Sequence, residues 1–111
     1  MAGTYKTGLL GEMRAAAYVR RCGMRIRAAR YRTAHGEIDL VAQDGDTLVF
    51  IEVKYRPHGQ IGDGVAAVDA KKRRHLRYAG AYYLQGHPAD SVRFDVIEIT
   101  SAGIRHIRDA F

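Results

Sequence analysis

The stretch that most restricts what this chain can become runs from Gly36 to Arg56, GEIDLVAQDGDTLVFIEVKYR. Asp-Gly between two apolar, alternating arms is a strong hairpin signal, because glycine accepts the positive φ that a tight turn demands. Side chains two apart on a strand share a face. Glu37 and Asp39 therefore lie together on the first arm, and Glu52 and Lys54 on the second. With Asp44 and Gly45 as the turn, Gln43 faces Asp46, Asp39 faces Phe50 and Glu37 faces Glu52. Asp39 and Glu52 then become diagonal neighbours. A four-residue loop over the same residues gives the same pairing, whereas an odd-length loop would break it, because a one-residue slip turns one arm over.

Carboxylates set opposite one another on a sheet repel. Three of them beside a lysine, on a hairpin otherwise built from Ile38, Leu40, Val49, Ile51 and Val53, call for a reason. One is a divalent cation, since hard ions such as Mg²⁺ take oxygen ligands, commonly one or two carboxylates plus water. The other is a solvated sheet face with cross-strand ion pairs such as Lys54 with an acid.

The chain of 111 residues is the size of a single domain, 1–111, with one core. Its net charge of +6, from 18 Lys and Arg against 12 acids, favours a polyanionic partner. Cys22 is the one cysteine, which excludes an internal disulfide and Cys-rich zinc sites. No run approaches the length of a membrane span, and the N-terminus lacks the apolar region of a signal peptide, so a cytoplasmic protein away from membranes is expected.

Before the hairpin, residues 7–22 read as a helix with an apolar stripe of Leu9, Met13, Ala16 and Ala17, capped by Thr4 or Thr7 and ended by Gly23. Glu12 borders that stripe, either as an acid favourable in the first turns or as a carboxylate reaching into a cleft. Residues 24–33 form a strand at or near an edge, with arginines turned to solvent or phosphate. Cys22 reads as a small, buried or half-buried residue. After the hairpin, residues 57–65 form a glycine-rich loop. Asp69 then caps a helix running to about Gln85, with Leu76, Ala79, Tyr83 and Leu84 on its apolar side. Its first half, KKRRHLR, is either a solvated face or a phosphate-contacting one. Residues 91–100 form a strand covered on both faces or bulged at Val96-Ile97, and Ile104–Ile107 a last short strand, with Phe111 a packing anchor. The five histidines lack metal-ligand spacing and read as surface or turn residues. No aromatic platform for base stacking stands out.

The order α-β-β-β-α-β-β, with Asp39 on the second strand, Glu52-Val53-Lys54 on the third and Glu12 in the first helix, resembles the restriction-endonuclease-like PD-(D/E)xK nucleases, which include Holliday-junction resolvases. Ile38 stands where that pattern has proline. Gly8, Gly11-Glu12, Ala15-Ala16, Tyr31-Arg32, GEIDL at 36–40, FIEVKYR at 50–56, Lys71, Arg74-His75-Leu76, RFDVI at 93–97 and Ala110-Phe111 together resemble the bacterial YraN-like family over nearly the whole chain. That family carries the same isoleucine at this point and is of uncharacterised function.

The resemblance implies an α/β fold with a central mixed sheet flanked by helices. It implies Mg²⁺ or Mn²⁺ held by Asp39 and Glu52 with Glu12, Glu37 being an accessory acid, and Lys54 supporting the attacking water. Arg32, Arg56, Lys71 and Arg74 are the candidate contacts to a nucleic-acid backbone. The activity implied is hydrolysis of phosphodiester bonds in DNA, more than RNA, in branched or single-stranded substrates, by an enzyme that could act as a homodimer. The competing expectation is a nucleic-acid-binding module or partner subunit that keeps the fold without the chemistry. An assembly protein dimerising through the hairpin edge has less behind it.

Overall fold

The computed structural model describes residues 2–58 and 68–111, and most of the expected loop 57–65 lies outside them. Helix α1 spans Ala2–Arg21 and strands β1, β2 and β3 span Arg25–Thr33, Gly36–Asp44 and Thr47–Arg56. Helix α2 follows at Ala70–Gly86, then β4 at Ser91–Thr100 and β5 at Gly103–Ile107. The strands form one sheet in the order β1-β2-β3-β4-β5, antiparallel except where β3 runs beside β4. A parallel pair needs a crossover, and α2 supplies it. This α-β-β-β-α-β-β order and mixed sheet agree with the restriction-endonuclease-like architecture expected above.

Each helix covers one face. Ala15 and Val19 of α1 pack with Leu40, Ala42, Val49, Ile51, Ile97 and Ile99. Leu76, Ala79 and Tyr83 of α2 pack with Ile38, Val41, Leu48, Phe50 and Val96. Strand β4 is buried on both faces from Asp95 to Thr100 and pairs with β3 without interruption, so the phase change at Val96-Ile97 is two-sided burial and not a bulge.

The stripe expected on α1 is displaced. Leu9 and Met13 are 38% and 60% exposed and Ala17 is exposed, whereas Gly11, Ala15 and Val19 face the sheet. A Cβ on Gly11 would stand 2.6 Å from the Tyr55 Cβ, so the helix lies too close to the sheet for larger residues on that face. Thr4 and Thr7 fall inside the helix, which begins at Ala2, and neither caps it. Its end follows the expected pattern: Gly23 takes φ +88°, its N–H donates to Arg20 O, and the Met24 N–H donates to Val19 O. These bonds make a Schellman cap, closed by packing of Met24 with Val19 in the core. Cys22, expected buried or half-buried, is exposed at this cap.

Asp69 caps α2, its carboxylate accepting the Lys72 N–H at 2.9 Å. Phe111 stacks on Phe94 with ring centres 5.4 Å apart. The hairpin register differs from expectation by two. Asp44 pairs with Thr47 and Leu40 with Ile51, so Gly45-Asp46 is the turn, with Gly45 at φ +59°. A two-residue shift keeps every side chain on its face while changing its opposite number. Asp39 consequently lies level with Glu52, not with Phe50.

Candidate functional site

The site forms where β1, β2 and β3 part. The β2–β3 ladder ends at Leu40–Ile51, and the β1–β2 ladder passes from Ala29–Leu40 to Tyr31–Ile38 without pairing Arg30 to Asp39. Ile38 joins the α2-side core and Leu40 the α1-side core, so strict alternation breaks at Asp39. Arg30, across from Asp39, adopts φ +52°, a conformation that costs a non-glycine residue about 1–2 kcal/mol. The break leaves the Asp39 carboxylate at the lip between the two faces, accepting the Val53 N–H at 2.8 Å.

Carboxylates approach this lip from both sides. Glu12 of α1, Glu37 and Asp39 each offer an oxygen, all within 4.8 Å of one another. Glu52, 5% exposed on the α2 face, lies on the other side of Asp39. Burial, then the Glu52 charge and a hydrogen bond shared with Glu52, push Asp39 up to about 7 against the pull of the Val53 N–H and Lys72.

Cations surround the acids. Lys54 Nζ is 3.8 Å from Glu52 Oε1 and Lys72 Nζ 3.5 Å from Glu52 Oε2. Arg30 Nε donates to Glu12 Oε2 at 2.6 Å, and Arg32 Nε lies 3.3 Å from Glu37. Buried Glu52 Oε2 nonetheless lacks a hydrogen-bond partner among the described residues. Converging acids, one raised toward neutrality and one with an oxygen that is ion-paired but not hydrogen-bonded, suit an oxygen-seeking divalent cation. The donor set fits Mg²⁺ or Mn²⁺.

The candidates from sequence therefore fall into two groups. Glu12, Glu37 and Asp39 bring oxygens within 4.8 Å of one another at the lip, and Glu52, which acts on Asp39 by its charge and a hydrogen bond, stands beside them with Lys54. Arg32, Arg56, Lys71 and Arg74 are exposed, and of these Arg32 pairs with a carboxylate of the lip, Glu37. Lys72 was missed. It lies one turn before Leu76 on the stripe 72-76-79-83, so the spacing that buries α2 also carries this lysine onto the sheet.

A second polar cluster occupies the α1 face at β4 and β5. Asp95, fully buried, accepts from Arg93 Nε at 3.0 Å and from the Asp109 N–H at 3.0 Å, and lies 2.7 Å from His106 Nε2. The other His106 ring nitrogen is 3.1 Å from the Tyr18 hydroxyl. Burial alone would raise the Asp95 carboxyl, but His106, the Asp109 N–H and Arg93 together hold it below its ordinary value. His106 was read as a surface or turn residue, yet its side chain is only 5% exposed because it joins α1 to the sheet.

A model of the uncharacterised protein family UPF0102 matches residues 11–99, a span that holds Glu12, Glu37, Asp39, Glu52, Lys54 and Lys72. The chain belongs to this family. Family relatives include a protein of Syntrophus aciditrophicus, 41% identical over 117 residues and covering 100% of this chain and 92% of the relative. A relative from Shewanella amazonensis is 42% identical over 105 residues, 94% of this chain and 97% of the relative. One from Xanthomonas campestris is 40% identical over 115 residues, covering 99% and 94%. Each bears the name UPF0102 protein, which states no activity. This is the YraN-like family that the motifs resemble. Among the described residues, no helix is long and apolar enough to cross a membrane.

Proposed function

We propose that this family member is a metal-dependent nuclease that hydrolyses phosphodiester bonds in DNA, related to the restriction-endonuclease-like enzymes. The observation that carries the reading is the meeting of Glu12, Glu37, Asp39 and Glu52 with Lys54 and Lys72 at one strand-end lip. Such a set is costly to assemble unless a cation and a phosphate occupy it.

Asp39, with Glu12 and Glu37 on one side and Glu52 on the other, would hold Mg²⁺ or Mn²⁺. A bound divalent ion neutralises phosphate charge and makes water a stronger nucleophile. Lys54 orients the attacking water toward phosphorus and stabilises the charge gathering on the phosphate oxygens. The P–O bond to the leaving sugar oxygen breaks, and that oxygen takes up a proton. Arg32, Arg56, Lys71 and Arg74, all exposed, hold the backbone by charge.

A second reading, a DNA-binding module without chemistry, draws on the short Arg30–Glu12 bond, which already neutralises one acid from within. Cleavage of single-stranded, branched and duplex DNA with Mg²⁺ or Mn²⁺ separates the two. Wild type is expected to cut, Asp39→Ala to be inactive, and Lys54→Ala to fall by about 10²–10³ in rate. Equal activity in all three would remove the nuclease reading. Salt-sensitive DNA binding with no cleavage of any substrate would establish the module.

A further inference from the structure

The exposed face of α2 carries Lys71, Arg74, Tyr78 and Tyr82, spaced three, four and four residues apart, so all four lie along one line of the helix. That line is about 16 Å long at 1.5 Å per residue. It starts beside Lys72, whose ammonium touches Glu52, and leads away from the carboxylates. Its cations come first and its rings second. Tyr78 is 45% and Tyr82 53% exposed, an uncommon investment of aromatic surface on a helix already anchored by Leu76, Ala79 and Tyr83.

The β1–β2 turn walls one side of this line. His35 meets Tyr78 edge-to-face, ring centres 4.9 Å apart and planes at 89°. Between the turn and α2 lies a groove of about 570 Å³, bordered by Arg32, His35, Glu37 and His75. The wall is held tightly, because a Cβ on Gly36 would stand 2.5 Å from the His75 carbonyl oxygen. Glu37 belongs both to this groove and to the carboxylate set.

We infer that this face is a track for single-stranded nucleic acid, on which Lys71 and Arg74 hold phosphates and Tyr78 and Tyr82 stack unpaired bases. The inference deepens the nuclease reading and rests on it for the direction in which the strand runs to the acids. In a duplex the base faces are covered by their neighbours, so the rings have nothing to stack on. A single strand offers each ring a base face whatever the sequence, while the backbone follows the cations.

The test is binding in the presence of a chelator, read by fluorescence anisotropy. The probes are a short oligothymidylate, the matching oligouridylate and a blunt DNA duplex of the same length. Wild type is expected to bind the single strands more tightly than the duplex. Tyr78→Ala and Tyr82→Ala should each weaken single-strand binding about tenfold, with duplex binding unchanged. Tyr78→Phe should bind as wild type does, since it keeps the ring, and unchanged melting of all variants shows that the fold is intact. Preference for thymidylate or uridylate identifies the strand as DNA or RNA, and equal binding to both also supports the track. Alanine variants that bind like wild type, duplex bound as tightly as single strand, or no nucleic-acid binding at all, as a protein-docking face would give, overturn it. Tyrosine-dependent binding without metal-dependent cleavage would keep the track and remove the nuclease; cleavage with tyrosine-independent binding would do the reverse.

Discussion

Asp39 holds its proton to about 7 because it is buried against Glu52, and this makes it a source of pH dependence. A carboxyl whose folded value lies above its unfolded value binds its proton more tightly when folded. The native state therefore loses stability as pH rises from near 4 to near 7, at about 1.4 kcal/mol per unit of difference. Asparagine at this position cannot ionise, yet it still offers an oxygen to the Val53 N–H. Asp39→Asn is expected to be more stable than wild type by a few kcal/mol at pH 8 without divalent cations, with the advantage shrinking toward pH 4.5. Urea unfolding at the two pH values reads this directly, and a difference that does not change with pH would contradict it. Magnesium should narrow the gap at pH 8 by binding only the wild-type carboxylate.

At the scale of elements, two glycines on packed surfaces set how closely neighbours approach. Gly36→Ala must push the β1–β2 turn away from the His75 carbonyl, because backbone on both sides leaves no flexible group to yield. The expected loss is about 1–3 kcal/mol in urea unfolding. Gly8→Ala, in α1 with nothing within 4 Å of its new Cβ, is the control and should be neutral or slightly stabilising. The contrast shows what sequence could and could not convey. The strands and the ends of α2 were legible, since alternation, Asp69 and Gly86-His87-Pro88 are local signals. The buried face of α1 was not, because Gly11 is required by the nearness of Tyr55, which no helical period reveals. The hairpin register was legible only to within two residues, since Asp44-Gly45 and Gly45-Asp46 are both plausible turns and Gly45 at φ +59° suits a type II′ turn at its first central position. At the lip, Asp39, Glu52 and Lys54 could be grouped from the hairpin alone. The nearness of Glu12 to Glu37 joins α1 to β2 and is a tertiary event that no local pattern reveals.

Across the whole molecule, the two polar clusters divide between the faces of the sheet. Asp95, His106 and Tyr18 tie α1 to β4 and β5, whereas Glu52, Lys54 and Lys72 tie β3 to α2. The single parallel pairing, β3 with β4, has a consequence for how the chain assembles. Strands β1, β2 and β3 meet through short turns, but β4 reaches β3 only after the entire α2 crossover, and long-range pairings of this kind form slowly. A meander formed ahead of α2 would bring Asp39 beside Glu52 with Lys54 of the same hairpin but without Lys72. Repulsion between the two acids should oppose that intermediate step, and anything that discharges it should hasten folding. Stopped-flow refolding is expected to accelerate several-fold at pH 5.5 relative to pH 8, and at pH 8 on adding magnesium, with Asp39→Asn insensitive to both; equal responses from wild type and variant would refute this. The carboxylates that crowd the lip of the finished sheet would then be, during folding, the brake on its own completion.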